Sequence, residues 1–333
     1  MPPKVAVVGC GYWGKNLVRN FAQLGALGLL CDASEETLAA QAKLYEGVRA
    51  TTRFADVLAD PAIQGVVLAS PAGMHHEQAL AALAAGKDIF VEKPLALRYE
   101  DGLEIDALAR EKGAVLMVGH ILHYHPAVQA LERLLRDGEL GELLYIYSNR
   151  LSLGKVRVEE NVLWSFAPHD ISVITALVGA APERVSAIGS PYLQDAIADV
   201  TVTNLVFPGR VRAHIFVSWL NPFKEQKLVV VGSNKMAVFE DTSTDKKLVV
   251  YDKGVDWQNG LPVSRQEGGT VIALPAVEPL REECAHFLAC IESRQTPRTD
   301  GQNGLVVLQT LAAAQTSLDR GGLPVELREV AAV

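Results

Sequence analysis

Cysteine is scarce in this 333-residue chain: there are four, at 10, 31, 284 and 290, and none stands in Cys-x-x-Cys spacing. That usage argues against a disulfide-built scaffold and predicts free thiols in a reducing, cytoplasmic setting. Long apolar runs are also missing. No window reaches the roughly 18 consecutive apolar residues of a membrane span, and Lys4 leads into a short apolar run without a signal-peptide core. Basic residues are in deficit, 31 Lys and Arg against 39 Asp and Glu for a formal net charge of −8. That balance would repel a phosphate backbone, so nucleic acid is not an expected partner. Repeats, low-complexity tracts and long linkers are absent too, which excludes disorder and repeat arrays.

What is present is ordinary globular material, 49% apolar and 21% charged, at a length that favours two domains of about 150 residues each. Up to His120, short runs rich in Val, Ile and Leu alternate with helical patterns. Val5–Val8, 27–31, 65–69, 88–91 and 114–118 read as strands, with a weaker one at 48–51. Helices are predicted at 16–24, 35–44, 77–85 and 99–112. This alternation predicts an α/β fold with a parallel sheet covered on both faces. The rhythm changes after His120, so the domains are expected at 1–120 and 121–333. Strands at 143–151, 200–207, 211–219, 227–231, 236–240 and 248–251 suggest a largely antiparallel sheet. Helices are expected at 126–136, 279–293 and 303–319.

Gly9-Cys10-Gly11-Tyr12-Trp13-Gly14 follows the first strand and opens a helix. Its glycines suit a tight turn that admits a pyrophosphate to backbone N–H groups, and the helix dipole favours the anion. Asp32 ends the second strand, 18 residues past Gly14. A carboxylate there accepts from the adenosine ribose and repels a 2′-phosphate, which favours NAD over NADP; the bland alternative is a cap for the helix starting at Ser34-Glu35.

Glu92-Lys93-Pro94 stands at the carboxyl end of a strand, where doubly wound sheets bind ligands. Lys93 beside a nicotinamide would polarise or deprotonate a substrate hydroxyl; otherwise it is a solvated loop lysine. In Ser165-Phe166-Ala167-Pro168-His169-Asp170, Pro168 suits the first position of a helix, which puts His169 in a first turn as a neutral imidazole able to act as base. A capping or packing histidine is the alternative. His120, His123 and His125 lack a companion set of carboxylates or thiols, so no metal is expected. Arg150, Lys155 and Arg157 concentrate positive charge that suits an anionic substrate, although Glu159 and Glu160 follow at once.

Together with Ser70-Pro71 to His75 and Ala85-Gly86-Lys87, these segments resemble the Gfo/Idh/MocA oxidoreductases over nearly the whole chain. The resemblance implies an amino-terminal Rossmann domain and an α+β domain with an open-faced sheet through which dimers or tetramers form. It also implies catalysis by Lys93 and His169, and a cofactor site drawn from Gly9, Gly11, Tyr12, Trp13, Gly14, Asp32, Ser70, Pro71, His75, Glu92 and Lys93. More narrowly, Val118-Gly119-His120, Tyr124-His125-Pro126 and 161–172 are similar to bacterial dehydrogenases of UDP-N-acetyl-2-amino-2-deoxyglucuronate. Such enzymes oxidise the sugar 3-hydroxyl with NAD on the way to diacetamido-uronic acids of surface polysaccharide. Lys93, Arg150, Lys155, Arg157, Asn161 and His169 then become the expected contacts to a UDP-sugar acid.

One departure matters: many relatives carry Asp four residues before the histidine, where this chain has Ser165. Either Asp170 or another group orients His169, or His169 binds the hydroxyl while Lys93 takes its proton. Dehydrogenation of another sugar or cyclitol, a lyase-like glycosidase that uses NAD transiently, and a non-catalytic NAD-sensing or assembly protein are the alternatives.

Overall fold

Val5–Val8 (β1) carries apolar side chains to both faces and all four are buried, as a central parallel strand requires. The computed structural model describes residues 2–154 and 156–330, apart from the side chains of 329 and 330. After β1 come Gly14–Gln23 (α1), Leu27–Cys31 (β2), Glu35–Ala42 (α2), Arg49–Thr51 (β3), Phe54–Ala59 (α3) and Gly65–Leu68 (β4). His75–Ala84 (α4), Asp88–Glu92 (β5), Tyr99–Lys112 (α5) and Leu116–Gly119 (β6) follow. The six strands are parallel in the order β3-β2-β1-β4-β5-β6. The order reverses between β1 and β4, and a crevice opens at the carboxyl ends of the strands at such a point.

The second sheet draws on the middle of the chain: Pro126–Arg136 (α6), Leu143–Leu151 (β7), Val162–Val178 (α7), Arg184–Ser190 (β8), Val200–Val206 (β9) and Arg212–Ser218 (β10). Glu225–Gly232 (β11), Met236–Glu240 (β12), Leu248–Gln258 (β13) and Leu261–Val271 (β14) continue it. Pro279–Ser293 (α8), Gly301–Asp319 (α9), Val325–Glu326 (β15) and Leu327–Val330 (α10) end the described chain. Nine strands run β14-β13-β12-β11-β7-β10-β9-β8-β15, antiparallel except for the β10–β7 pair. Along β10 the alternation is plain: Ala213, Ile215 and Val217 are buried, whereas His214 and Phe216 stand on the partly open face.

Two compact units result, residues 1–124 with 277–308 and residues 125–276 with 309–333. The expected single boundary near 120 assigns 277–308 to the second domain, whereas α8 packs within the first unit. Its Phe287 meets Phe21 edge-on at 6.5 Å and Phe90 at 5.7 Å, and Arg19 and Asn20 of α1 bond Glu278 just ahead of it. Burying a side chain of that size contributes roughly 2–3 kcal/mol.

Five elements lie outside the sequence expectation, two of them the short β15 and α10. The six-residue α3 buries only Val57, so it has no apolar period to read. Strand β8 alternates weakly, and β14 is exposed almost throughout. All four cysteines are buried free thiols, and no helix among the described residues is long and apolar enough to cross a membrane.

Candidate active site

The glycine loop shows directly why its glycines are there. Gly9 has φ +87°, and a Cβ on it would lie 2.6 Å from the carbonyl carbon of Ala69; one on Gly14 would lie 1.8 Å from the Gly9 oxygen. These two let β1, β4 and α1 approach. Gly11 differs, because a Cβ there would meet no protein atom within 4 Å. Its bare backbone faces outward, which is what close approach of a pyrophosphate requires. Asp32 holds the loop from the end of β2: Oδ2 accepts from the Cys10 N–H at 2.7 Å and Oδ1 from the Ser34 N–H at 2.9 Å. The helix cap itself is Ser34, whose hydroxyl accepts from Thr37 N–H. Each Asp32 oxygen keeps a further lone pair for a ribose hydroxyl. Cys10 is no nucleophile, since burial, with the Asp32 charge adding, pushes its thiol up to about 12.

Trp13 and Glu92 join this loop to β5. The Trp13 indole N–H donates to Glu92 Oε1 at 2.5 Å, and Oε2 accepts the Lys93 N–H at 3.2 Å. Gly119 leaves the room, for a Cβ there would sit 2.9 Å from Glu92 Oε2. Burial raises the Glu92 carboxyl above its ordinary range, while the indole and the Lys93 charge pull it back. Glu92 is thus a structural tie, and Lys93, half-buried, leads into a cis Lys93–Pro94 peptide. Pro71 and Tyr12 are exposed. Ser70 donates its hydroxyl to Gln78 at 2.6 Å. His75 is 1% exposed, with Nδ1 2.8 Å from the Pro94 carbonyl oxygen and Nε2 3.0 Å from that of Ser70. Within the first unit, a cradle of ties joins Asp32 to the glycine loop, Trp13 through Glu92 to Lys93, and Ser70 through His75 to Pro94. Gly11, in a turn that Gly9 and Gly14 keep tight, fits an NAD pyrophosphate, and Asp32 fits its ribose.

In the second unit the helix carrying His169 starts earlier than expected. Asn161 is the N-cap, its Oδ1 accepting from Trp164 N–H at 3.2 Å, and α7 runs on to Gly179 in the left-handed region. Pro168 lies inside this helix and His169 beyond its first turn, so the helix-start dipole argument for His169 does not hold. Asn161 supplies the cap that starts the helix, and Pro168 in its interior gives up one i→i−4 hydrogen bond. Asn161 also donates to Gln315 Oε1 at 2.8 Å, a bond shared with the Trp164 indole. Gln315 carries no signal in the sequence that would single it out.

Arg150 is committed as well. Its Nε donates to Asp170 Oδ2 at 2.7 Å and Nη2 to Oδ1 at 3.2 Å, with side chains 12% and 5% exposed. Ser148 also donates to Asp170. This buried pair fastens β7 to the helix turn next to His169. Arg157 lies 3.8 Å from Glu160, and Lys155 is outside the described residues.

The other histidines are accounted for locally. Burial, then His123 and Lys93, lowers His120 to about 3, so its ring is neutral. His125 caps α6 by accepting from Ala127 N–H at 3.0 Å, and its Nε2 faces Asp241 at 3.5 Å. Among the described residues no group of three His, Cys, Asp or Glu is placed to hold a metal ion.

Comparison with known proteins gives the chemistry a setting. Residues 3–120 match the oxidoreductase family with NAD-binding Rossmann fold, and residues 128–238 match the GFO/IDH/MocA C-terminal domain. The UDP-N-acetylglucosamine 3-dehydrogenase of Acidithiobacillus ferrooxidans is 25% identical over 317 residues, 95% of this chain and 97% of its own. Its solved structure superposes with a TM-score of 0.84 at 24% identity, covering 95% and 97% of the two chains. The NAD(+)-dependent scyllo-inositol 2-dehydrogenase of Bacillus subtilis is 24% identical over 82% of this chain and 80% of its own. Levoglucosan dehydrogenase, solved with NADH and levoglucosan, shares the fold at a TM-score of 0.85 and 21% identity, covering 97% and 99%.

Proposed function

The chain belongs to the Gfo/Idh/MocA oxidoreductases and carries their NAD-binding fold, and on that premise we propose that it oxidises the 3-hydroxyl of UDP-N-acetyl-2-amino-2-deoxyglucuronate to the 3-keto sugar nucleotide. The observation that carries this reading is similarity along nearly the full length to an enzyme that acts at the 3-position of a UDP-linked amino sugar. NAD held over the Gly11 turn would supply a hydride acceptor for the carbinol carbon. Lys93 hydrogen-bonds the reacting oxygen and stabilises negative charge as it develops there. His169 is the first choice to take the hydroxyl proton, with the two proton-transfer roles open to exchange. Asp170 holds its turn of α7 through Arg150, so Arg150 supports the site and Arg157 is the better contact for a substrate anion. The 3-keto product suits transamination toward a diacetamido-uronic acid of surface polysaccharide. Assembly into a homo-oligomer through the partly open sheet face fits the aromatic cluster there, where Tyr147 stacks on His214 at 5.4 Å and Tyr145 bonds the same ring.

The test is NADH formation from NAD with UDP-N-acetyl-2-amino-2-deoxyglucuronate, UDP-N-acetylglucosamine, free amino sugars and inositols. Turnover only of UDP-linked sugars, with the highest kcat/KM for the uronate, is expected. Equal turnover of a free sugar or cyclitol would overturn the nucleotide requirement. NADH binding without oxidation of any panel member would favour a sensing role.

A further inference from the structure

We propose that His75 is a positioning residue that joins the Lys93-Pro94 segment to the Ser70 turn and acts through their backbone carbonyls, without touching cofactor or substrate. The ring is the first residue of α4 and is 1% exposed. Burying so polar a group is unfavourable unless its hydrogen-bonding atoms find partners. Each ring nitrogen faces a backbone carbonyl, Nδ1 2.8 Å from the Pro94 oxygen and Nε2 3.0 Å from the Ser70 oxygen, and the ring donates to one of them or, protonated, to both.

The side-chain chemistry explains why histidine stands here. Imidazole places two hydrogen-bonding nitrogens on one rigid ring, pointing away from each other, so it spans two carbonyls that belong to different loops. An amide carries all its donors on one nitrogen and a hydroxyl has one donor. A neutral ring donates to one of the two oxygens and an imidazolium to both. In either state the ring fills the space between the loops and fixes their separation.

The two carbonyls are not arbitrary. Pro94 follows Lys93, whose N–H is held by Glu92 Oε2, and Glu92 Oε1 holds the indole of Trp13 in the glycine loop. Ser70 follows Ala69, whose carbonyl carbon lies against Gly9. Ser70 is further tied by its hydroxyl to Gln78, one turn along α4 from His75. The glycine loop, the Ser70 turn and the Lys93 segment thus form a ring of contacts, and His75 closes it. Lys93 is held on its amino side by Glu92 and on its carboxyl side, through Pro94, by His75.

The inference rests on the proposed role of Lys93 only in its kinetic arm. Hydrogen exchange of the full chain without ligand, read by mass spectrometry, tests the joint itself in His75→Phe, which keeps a ring and loses both nitrogens. Faster exchange is expected in the peptides spanning 69–75 and 91–97 together, with the strands unchanged. NADH affinity, read by fluorescence, should weaken by about fivefold, the weight of one ordinary hydrogen bond. With UDP-N-acetyl-2-amino-2-deoxyglucuronate, kcat should fall roughly 100-fold with KM nearly unchanged, as for a displaced reacting group, and the pH profile of kcat should shift as the surroundings of Lys93 change. Unchanged exchange in either peptide, or equal loosening of the whole first unit, would overturn the proposal. Should His75→Phe not fold, His75→Gln, with one donor nitrogen, is read the same way and should loosen one peptide more than the other; equal exchange to wild type in both would overturn it. If wild type oxidises no UDP-sugar, the substrate reading fails while the exchange result still decides the joint.

Discussion

The cofactor cradle and the loops proposed to meet the sugar nucleotide hold their polar groups in opposite ways. In the cradle most ties are short: Cys10 N–H to Asp32 at 2.7 Å, Trp13 to Glu92 at 2.5 Å, and His75 within 3.0 Å of two carbonyls, against 3.2 Å for Lys93 N–H to Glu92. At Arg157, the proposed substrate contact, the tie is looser: its side chain is 38% exposed and sits 3.8 Å from Glu160. A ligand of fixed shape is best met by donors ordered in advance, which lowers the entropy lost on binding. Long charged side chains on exposed loops instead adjust to the anion that arrives.

The largest effect expected from breaking this contrast is at Gly9. A methyl group there would press on Ala69 from a backbone at φ +87°. Gly9→Ala should weaken NADH binding by roughly 100-fold or more and cost about 2 kcal/mol of stability. Fluorescence titration beside thermal melting checks both; an unchanged affinity would erase the cradle's claim to rigidity.

An exception within the rigid unit gives a smaller effect. Glu283 on α8 is fully buried, and neither carboxyl oxygen has a hydrogen-bond partner among the described residues. Burial, and then the Glu92 charge, hold its carboxyl well above the ordinary value of 4.5. A raised folded-state value means stabilisation that is complete below 4.5 and is lost as pH climbs toward the raised value. Glu283→Gln should therefore melt about 2–4 °C higher than wild type at alkaline pH, with the gain vanishing in acid. A gain that grew in acid would refute the sign.

The smallest effect belongs to the loose loops. Arg157→Ala should raise KM for the UDP-sugar acid about threefold, with kcat and melting temperature unchanged, as for an exposed contact. A large fall in stability would mean that this loop is built like the cradle.

The two regions also differ in how much of them could be read from sequence. Tyr99–Lys112 and Pro279–Ser293 lie where their periodicity and end signals place them, Gly9 and Gly14 lie in the turn that their spacing predicts, and Asp32 follows β2 as expected. Local chemistry dictates these. Elsewhere a local signal misleads: Pro168 reads as a helix start, whereas Asn161 caps α7 seven residues earlier. What stayed hidden depends on partners far along the chain. Arg150 finds Asp170 twenty residues on, Asn161 finds Gln315 across 154 residues, and His75 finds a backbone carbonyl 19 residues away. No spacing rule announces such pairings, because folding and not sequence proximity creates them.

The central claim is that Lys93 serves the chemical step within a cradle that binds NAD without it. Single-turnover NADH formation from UDP-N-acetyl-2-amino-2-deoxyglucuronate, compared between wild type and Lys93→Ala at saturating NAD, tests it most directly. The account predicts a rate lower by roughly 100- to 1,000-fold, with NADH affinity within a few-fold of wild type. An unchanged rate would contradict it.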